Sequence, residues 1–366
     1  MTQAVTVHGL LESQARSHPS RVALADDNHR LDYSGWWRKS RHLAALLQRL
    51  GVKEGDLVGV LCEKTLMLPV SFAAASMLGA RFVALNSRWP EGEHHRVLAR
   101  LLARAVITKE GFDPLSWETP RVLTVPAGEL MEGNEDPEEL PVVDSDEVVY
   151  LNVTSASTGL AKVAATTHRN LMANTAAVCS TMGLEESDVH MSLFGVIGHP
   201  HELFLRGLYL GGKTVLTNMR YPREILAIIK EEQVSCLMGL PPQLENLARL
   251  CARSDVDLSS VRMAEAGGMH ISREFVERFG QRTGVSVIPV WGSTETSGVA
   301  LVGNPGETGF DKVVEGYTIQ LRDSAGGEIT DDGRGEMYIR GDGVVSAYLG
   351  DRASTAEVYS DGWYRT

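Results

Sequence analysis

The sequence lacks an apolar run long enough to cross a membrane. The stretch from Leu66 to Ala80 is apolar but is interrupted by Pro69, Ser71 and Ser76, and a spanning helix needs roughly 18 or more such residues. The N-terminus has no basic region followed by an apolar stretch, so no secretory signal is predicted. These absences predict a cytoplasmic protein without a membrane partner.

Cysteine and net positive charge are also scarce. The 4 cysteines lie far apart without a CxxC pair, which argues against a disulfide framework or a cysteine metal site and predicts reduced core thiols. The formal net charge of -12 argues against generic binding to nucleic acid or anionic lipid. An anionic cofactor would therefore need a local cluster of donors and cations.

The chain of 366 residues is 43% hydrophobic, which is enough for a large core in two or three domains or subdomains. Buried strands are predicted at Leu57–Cys62, Phe82–Leu85 and Ala105–Thr108, with helices between them. One of the helices is predicted to start at a Ser34 cap and to end at Gly51. This alternation, which resumes after residue 170, predicts parallel, doubly wound sheets covered by helices.

The pattern changes at about Thr308. Tyr317–Arg322 and Glu336–Arg340 alternate in β fashion around the turn at Ala325–Gly327, which predicts a small antiparallel barrel. The predicted fold class is therefore α/β, with two doubly wound α/β subdomains at about 1–180 and 181–307. A small C-terminal β-barrel subdomain follows at 308–366.

A loop rich in hydroxyl groups follows the apolar run Val148–Val153. Over Thr154–Lys162 it reads Thr-Ser-Ala-Ser-Thr-Gly-Leu-Ala-Lys. Backbone N–H groups, hydroxyls and an ammonium after a strand are suited to bind an anion, most naturally a phosphate. The Walker pattern Gly-x-x-x-x-Gly-Lys-Ser/Thr cannot be aligned with it. Taken alone, the loop could equally be a solvated turn.

Two later segments accompany this loop. Trp291–Gly298 reads Trp-Gly-Ser-Thr-Glu-Thr-Ser-Gly after another apolar run, and Gly335–Gly341 leads into Val345–Gly350. In this order the three segments resemble the phosphate-loop, Thr-Glu and Gly-Glu-Leu motifs of the adenylate-forming superfamily. That superfamily contains acyl- and aryl-CoA synthetases, peptide-synthetase adenylation domains and luciferases. The resemblance covers essentially the whole chain and implies the large N-terminal domain of that family.

The resemblance implies a reaction and its cofactors. Family members join a carboxylate to AMP, release pyrophosphate and usually pass the acyl group to a thiol. The implied cofactors are ATP or AMP, Mg²⁺, and either CoA or the phosphopantetheine of an acyl carrier protein. The chain is thus expected to be a carboxylate–CoA ligase domain whose substrate is a small carboxylic acid.

The resemblance also assigns residues to the nucleotide. The β- and γ-phosphates are expected at Thr154, Ser155, Ser157, Thr158, Gly159 and Lys162. Thr294 is expected to reach the α-phosphate, and Glu295 to hold Mg²⁺ with Thr158 as a second ligand. Trp291 is expected to stack on adenine, with Gly292 beside it. Without the other motifs, Glu295 could equally be a solvated residue at a strand end.

The acid site is expected near two further segments. Gly267, Gly268 and Met269 resemble the Gly-Gly segment that lines the acyl pocket and touches the nucleotide. His199 or His201 falls near the family's carboxylate site, and either histidine could equally be structural. Amino-acid-activating relatives place an aspartate in this second segment, whereas here residues 193–205 contain no Asp and only one acid, Glu202. A non-amino aliphatic or aryl acid is therefore favoured.

The sequence departs from the family at the phosphate loop and at the C-terminus. Ala156 replaces a glycine, and a methyl group forced into a left-handed conformation costs roughly 1–2 kcal/mol. Ala161 and Val163 replace the usual Pro and Gly beside Lys162. The sequence ends at Thr366, before the family's Gly-Asp motif and mobile C-terminal domain. The chain alone is therefore expected to lack full activity, with the missing parts supplied by a C-terminal domain or a separate adenylating enzyme.

Two alternatives remain open on these residues. The protein could be a relative that accepts preformed acyl-adenylate and only supports thiol ligation, since Ala156 alters the pyrophosphate end of the site. It could also be a non-catalytic module that binds nucleotide and acyl groups.

Overall fold

The computed structural model describes residues 5–87, 89, 91–108, 121–124, 133–153, 162–251, 258–330 and 333–366. Helices and strands alternate along its N-terminal part. In chain order they are α1 Val7–Ser17, β1 Val22–Ala25, β2 Arg30–Asp32, α2 Tyr33–Arg49, β3 Leu57–Cys62, α3 Met67–Met77, β4 Arg81–Asn86, α4 Glu91–Arg100, β5 Ala105–Thr108, β6 Arg121–Thr124, β7 Val148–Val153 and β8 Val163–Thr167.

The alternation continues in the C-terminal part, which also contains two short 3₁₀ helices, Pro200–Leu203 and Thr294–Thr296. The other elements are α5 His168–Met182, β9 Val189–Ser192, α6 Leu205–Leu210, β10 Lys213–Val215, α7 Pro222–Glu232, β11 Cys236–Gly239, α8 Pro241–Cys251, β12 Met263–Ala266, α9 Arg273–Thr283, β13 Val287–Ser293, β14 Gly298–Val302, β15 Lys312–Val313, β16 Tyr317–Arg322, β17 Glu336–Gly341, α10 Arg352–Val358, β18 Tyr359–Ser360 and β19 Trp363–Arg365.

Two large sheets dominate the fold. One has six strands in the order β6-β5-β3-β4-β7-β8, and the other has nine in the order β15-β14-β13-β12-β11-β9-β10-β1-β2. The first sheet is parallel except for its edge strand β8. The second is parallel from β13 to β1, with antiparallel strands at both edges. The predicted doubly wound α/β class is confirmed.

The strands β16 to β19 form a third, antiparallel sheet in the order β16-β17-β19-β18. It lies where the sequence predicts the small C-terminal barrel. The N-terminal strands β1 and β2 pair into the nine-stranded sheet, although their residues belong to the first predicted subdomain. The two boundaries between the three predicted subdomains, at about 180 and 307, remain predictions.

The cap predicted for α2 is wrong. The helix begins at Tyr33, and the Asp32 side chain accepts a hydrogen bond from the Gly35 backbone N–H at 2.6 Å. Asp and Ser are comparably good N-caps, so the neighbouring Ser34 could not be excluded from sequence. Ser272 caps α9, and its hydroxyl oxygen accepts a hydrogen bond from the Phe275 backbone N–H at 3.2 Å.

A shared aromatic core joins the two large sheets. Phe204, at the start of α6, lies 5.4 Å from Phe72 of α3 and 5.9 Å from Trp36 of α2, measured between ring centroids. Phe72 in turn packs 4.8 Å from Phe82 of β4. All four rings are almost fully buried. This core fixes the chain immediately after residues 199–203, which carry the candidate histidines.

Candidate functional site

The carboxyl ends of strands from both large sheets meet at one place. Asn152, near the end of β7, donates from Nδ2 to the Gly198 carbonyl and, at 3.2 Å, to Thr294 Oγ1. The Tyr150 hydroxyl donates to the same Gly198 carbonyl at 2.9 Å. Thr294 directly follows β13 of the other sheet. In doubly wound folds, ligands bind at such carboxyl ends, so this cleft is the candidate site.

The turn that carries Thr294 and Glu295 is tightly built. The Ser293 backbone N–H donates to Thr296 Oγ1 at 2.9 Å, which closes the short 3₁₀ turn. A Cβ atom on Gly292 would lie 2.1 Å from the Gly298 carbonyl oxygen, so only glycine allows this approach of β13 to β14. The turn therefore has little freedom to move the two candidate residues.

Glu295 is buried and hydrogen-bonded. Its Oε1 accepts from the Tyr348 hydroxyl at 2.6 Å, and its backbone carbonyl accepts from Val345 N at 2.9 Å. Lys162 Nζ lies 5.0 Å from the centroid of the Tyr348 ring. Burial, then the hydrogen bond to Glu295, raises the pKa of Tyr348, so this phenol remains a donor. The sequence-predicted Lys162 and Glu295 thus share one neighbour.

The surroundings of Glu295 are compatible with Mg²⁺. Mg²⁺ is commonly held by one or two carboxylates together with substrate phosphates. Within the part of the chain that the structure describes, no group of three or more His, Cys, Asp or Glu side chains could hold a metal ion. Glu295 is a single carboxylate that shares the neighbour Tyr348 with Lys162, and such a carboxylate could hold a cation together with substrate phosphates.

Gly267–Met269 follow the end of β12, and Trp291 lies on the adjacent parallel strand β13. Gly268 has a φ of +72°, and a Cβ atom on Gly267 would meet Val290 Cγ2 at 2.9 Å. The Met269 side chain is 55% exposed. These residues form an open edge beside the Thr294 turn, where the sequence predicts the adenine.

The structure distinguishes the two candidate histidines. His201 is buried, its Nε2 donates to the Ser297 carbonyl at 3.0 Å, and burial lowers its pKa to about 4. His199 is only partly buried, its ring lies 5.7 Å from that of His201, and its Nδ1 has no hydrogen-bond partner among the described residues. His201 therefore supports the turn, and His199 remains the candidate for contact with substrate.

A buried ion cluster lies behind these histidines. Arg206 Nη1 donates to both oxygens of Glu265, at 2.8 and 2.7 Å, and Nη2 lies 3.5 Å from Glu202 Oε1. Burial opposes the charge of Glu202, yet His199 and Arg206 lower the pKa of this carboxyl below its usual value. Glu202, the only acid of residues 193–205, is therefore engaged by a neighbouring cation.

A cavity of about 410 Å³ opens beside the same segment. Leu193, Val196 and Ile197 line one side, and Lys64 and Asn218 line another. Lys64 Nζ donates to the Ser192 carbonyl at 3.4 Å, and burial lowers its pKa to about 8. The cavity reaches within two residues of His199 along the chain.

The predicted phosphate-loop residues fall largely outside the described residues. The structure describes Lys162. The predicted loop residues that it does not describe are Thr154, Ser155, Ala156, Ser157, Thr158 and Gly159. Sequence reasoning assigned no role to Asn152, Tyr348, Arg206 or Glu265. For Asn152, the signal in the sequence was a polar residue within the apolar run Val148–Val153.

Within the described residues, no helix is long and apolar enough to span a bilayer.

Comparisons with known proteins agree with this geometry. A family model described as "AMP-binding enzyme" matches residues 11–349. The chain is 29% identical to a feruloyl-CoA synthase from Amycolatopsis sp, over 96% of this chain and 73% of that protein. It is 26% identical to the medium-chain fatty-acid–CoA ligase of Escherichia coli (strain K12), over 96% of this chain and 68% of that protein.

The fold also matches a solved structure. O-succinylbenzoate coenzyme A synthetase from Bacillus subtilis, solved in complex with AMP, superposes with a TM-score of 0.87 and 20% sequence identity. The match covers 98% of this chain and 74% of that chain. This likeness supports the fold, including both large sheets.

Proposed function

This chain belongs to the AMP-binding enzyme family, and we propose that it is an acyl-CoA ligase-like domain that binds ATP or AMP and a non-amino carboxylic acid. It forms an acyl-adenylate for transfer to the thiol of CoA or of a carrier protein. The ligase class is supported by relatives named as feruloyl-CoA synthase and medium-chain fatty-acid–CoA ligase.

One observation carries the proposal for the site. Lys162 is far in sequence from the consecutive residues Thr294 and Glu295, yet two side chains link these residues to the opposite sheet or to each other. Tyr348 contacts both Lys162 and Glu295, and Asn152 contacts Thr294 from the opposite sheet. A cation, a hydroxyl and a carboxylate around one cleft are the groups that a nucleotide phosphate chain with its cation requires.

In the proposed reaction a carboxylate oxygen of the acid bonds to the α-phosphorus of ATP while the bond to pyrophosphate breaks. The protein contributes positioning and charge neutralisation. Thr294 Oγ1 already accepts a hydrogen bond from Asn152, so its own proton is free to be donated to an α-phosphate oxygen. Lys162 offsets the negative charge of the departing pyrophosphate.

Glu295, with Thr158 as a second ligand, would hold Mg²⁺, which when bound neutralises charge on the phosphate oxygens. His199, which is partly buried, would contact the carboxylate of the acid. The acyl group would extend along Leu193, Val196 and Ile197 into the neighbouring cavity. Trp291 and Gly268 would flank the adenine.

Acid-dependent exchange of labelled pyrophosphate into ATP tests this function, with a C-terminal domain of the family supplied because the chain alone is expected to lack full activity. We expect exchange that requires Mg²⁺ and an acid, and that falls at least about tenfold in Lys162→Met, because a charge-assisted contact to phosphate is lost. Lys230→Met, at an exposed position of α7, is the matched control. Absence of exchange together with absence of AMP binding would rule the function out.

The acid is expected to lack an α-amino group. An ammonium group near residues 193–205 would need a free carboxylate, and Glu202 is buried beside Arg206. In a panel of paired acids, each deaminated acid should therefore support faster exchange than its α-amino counterpart. A consistent preference for the amino acids would refute this assignment.

A second candidate function follows from Ala156. If the methyl group spoils only the β,γ-phosphate subsite, the protein would accept a preformed acyl-adenylate and support thiol ligation alone. Such a protein would show no pyrophosphate exchange, but would convert synthetic acyl-adenylate and CoA to AMP and an acyl-CoA thioester. A non-catalytic binding module would do neither while still binding AMP.

A further inference from the structure

Tyr348 lies between two charged side chains from opposite sides of the cleft. Its hydroxyl donates to Glu295 Oε1 at 2.6 Å, and its ring centroid lies 5.0 Å from Lys162 Nζ. Lys162 ends the hydroxyl-rich loop after β7, whereas Glu295 follows β13 of the other large sheet. One side chain from the C-terminal part of the chain therefore contacts both groups.

The position of Tyr348 is itself well fixed. The side chain is 5% exposed, and its backbone N–H donates to Thr355 Oγ1 at 3.0 Å. The following residue, Leu349, donates its backbone N–H to the Val163 carbonyl at 2.7 Å. The Tyr359 ring packs against Tyr348 at 5.8 Å in an edge-on arrangement. The contacts to Lys162 and Glu295 therefore start from a rigid support.

The two contacts have different chemical consequences. A hydroxyl that donates to one carboxylate oxygen orients Glu295 without neutralising its charge. An aromatic face attracts the ammonium of Lys162 without accepting its proton. Asp351, which is also near Lys162, is partly exposed, so solvent screens that attraction. Tyr348 thus holds both side chains in place through contacts that transfer no proton.

We propose that Tyr348 is a positioning residue for nucleotide binding, whose hydroxyl orients Glu295 for the cation and whose ring holds Lys162 at the phosphate loop. The inference rests on the proposed function, because it assigns Glu295 and Lys162 to the same ligand. It separates two roles within one side chain, and substitutions can remove them one at a time.

Calorimetric titration of ATP, with and without Mg²⁺, and of AMP measures the two roles separately. Tyr348→Phe keeps the ring and removes the hydroxyl, so the gain in ATP affinity on adding Mg²⁺ should fall about tenfold. Its affinities for AMP and for metal-free ATP should stay unchanged. Tyr348→Leu also removes the ring, and should weaken metal-free ATP binding by a further factor of roughly three.

The matched control is Tyr359→Phe, which removes a buried hydroxyl that has no partner among the described residues. It should behave as wild type in every titration. Unchanged AMP affinity in all variants shows that the fold and the adenine site survive the substitutions.

The outcomes also separate this inference from the proposed function. If wild type binds AMP and Mg²⁺-ATP, but both Tyr348 variants respond to Mg²⁺ as wild type does, the positioning role is wrong and the proposed function stands. If Tyr359→Phe reduces the gain in ATP affinity on adding Mg²⁺ as much as Tyr348→Phe does, the positioning role of Tyr348 is also wrong. If wild type binds neither AMP nor ATP, the proposed function fails and this inference fails with it.

Discussion

At the scale of single residues, the predicted contact of Trp291 with adenine lies at a partly open position. The ring is half-buried at the end of β13, beside the turn at Gly267–Met269. An aromatic ring pair contributes about 0.5–1.5 kcal/mol beyond the area it buries. Such an open edge can bind a planar base without rearrangement of the core.

We expect Trp291→Ala to weaken AMP binding roughly tenfold, because the stacked area and the ring interaction are both lost. Isothermal titration with AMP measures the effect. Trp37, which is partly buried on α2, provides a control tryptophan away from the cleft, and Trp37→Ala should leave AMP affinity unchanged. Equal affinity for AMP in wild type and Trp291→Ala would remove adenine from this edge.

Ala156 offers a second test at the residue scale, from sequence alone. If its methyl group damages only the β,γ-phosphate subsite, Ala156→Gly should raise ATP affinity by about tenfold or less, since the strain relieved is roughly 1–2 kcal/mol. Affinity for a synthetic acyl-adenylate should not change, because that ligand has no β- or γ-phosphate. Pyrophosphate exchange in both proteins, with the same acid and Mg²⁺, completes the comparison. Brisk exchange by wild type, unaltered by the substitution, would show that the alanine is harmless.

At the scale of elements, the ion pair between α6 and β12 links a helix to the nine-stranded sheet. Arg206 binds both oxygens of Glu265, and both residues are buried. Removing one partner of a buried pair leaves an uncompensated charge and typically costs about 3–5 kcal/mol. Replacing both partners by apolar residues costs much less.

We therefore expect Arg206→Leu to destabilise the protein by about 3–5 kcal/mol, and the double variant Arg206→Leu with Glu265→Leu to recover part of that loss. Urea unfolding followed by circular dichroism measures both values. Exposed Arg220→Leu is the control for loss of an arginine. A double variant less stable than the sum of the single changes would contradict this account.

Elements with a strong local pattern could be predicted from sequence. The apolar runs of β3 and β5 and the alternating pattern of β16 are found at the predicted residues. The strands β1 and β2 were not predicted, because they are short and β1 pairs with β10, far away in the sequence. The register of such long-range pairs is set by tertiary packing rather than by local propensity.

The same distinction applies to the candidate site. Lys162, Thr294 and Glu295 belong to recognisable motifs, and the structure brings them to one cleft. Asn152 and Tyr348 act by bridging these motifs, and a bridge depends on how two sheets and the C-terminal segment pack together. The order of residues along the chain does not show which side chains pack together. The roles of these two residues could therefore be recognised only in the structure.

At the scale of the whole molecule, histidines are buried in several separate places. Burial lowers the pKa of His8, His190 and His201 to about 4 and that of His168 to about 3. They lie in α1, in β9, in the turn before α6 and in α5. Each is neutral in the folded chain at pH 5–6, whereas an unfolded chain would be protonated there.

This difference makes stability depend on pH in a defined window. The unfolded chain binds more protons below the ordinary histidine pKa of about 6.5, so stability rises with pH between about 4 and 6.5 and is lost as the pH falls through that range. The carboxyl of Glu202, whose pKa is lowered, contributes stability that is lost only below about pH 4. The loss above pH 4.5 is therefore assigned to histidines.

We expect the free energy of unfolding to fall steeply between pH 6.5 and 5, by up to about 1.4 kcal/mol per pH unit for each such histidine. His190 tests one contribution, because its Nε2 has no hydrogen-bond partner among the described residues and an apolar substitute loses no bond there. His190→Leu should reduce the slope of unfolding free energy against pH by about 1.4 kcal/mol per unit, whereas His270→Gln, at an exposed turn, should not. Urea unfolding at several pH values between 7.5 and 5 provides the slopes. Equal slopes for wild type and His190→Leu would show that this histidine is protonated in the folded chain, and that other groups cause the acid sensitivity.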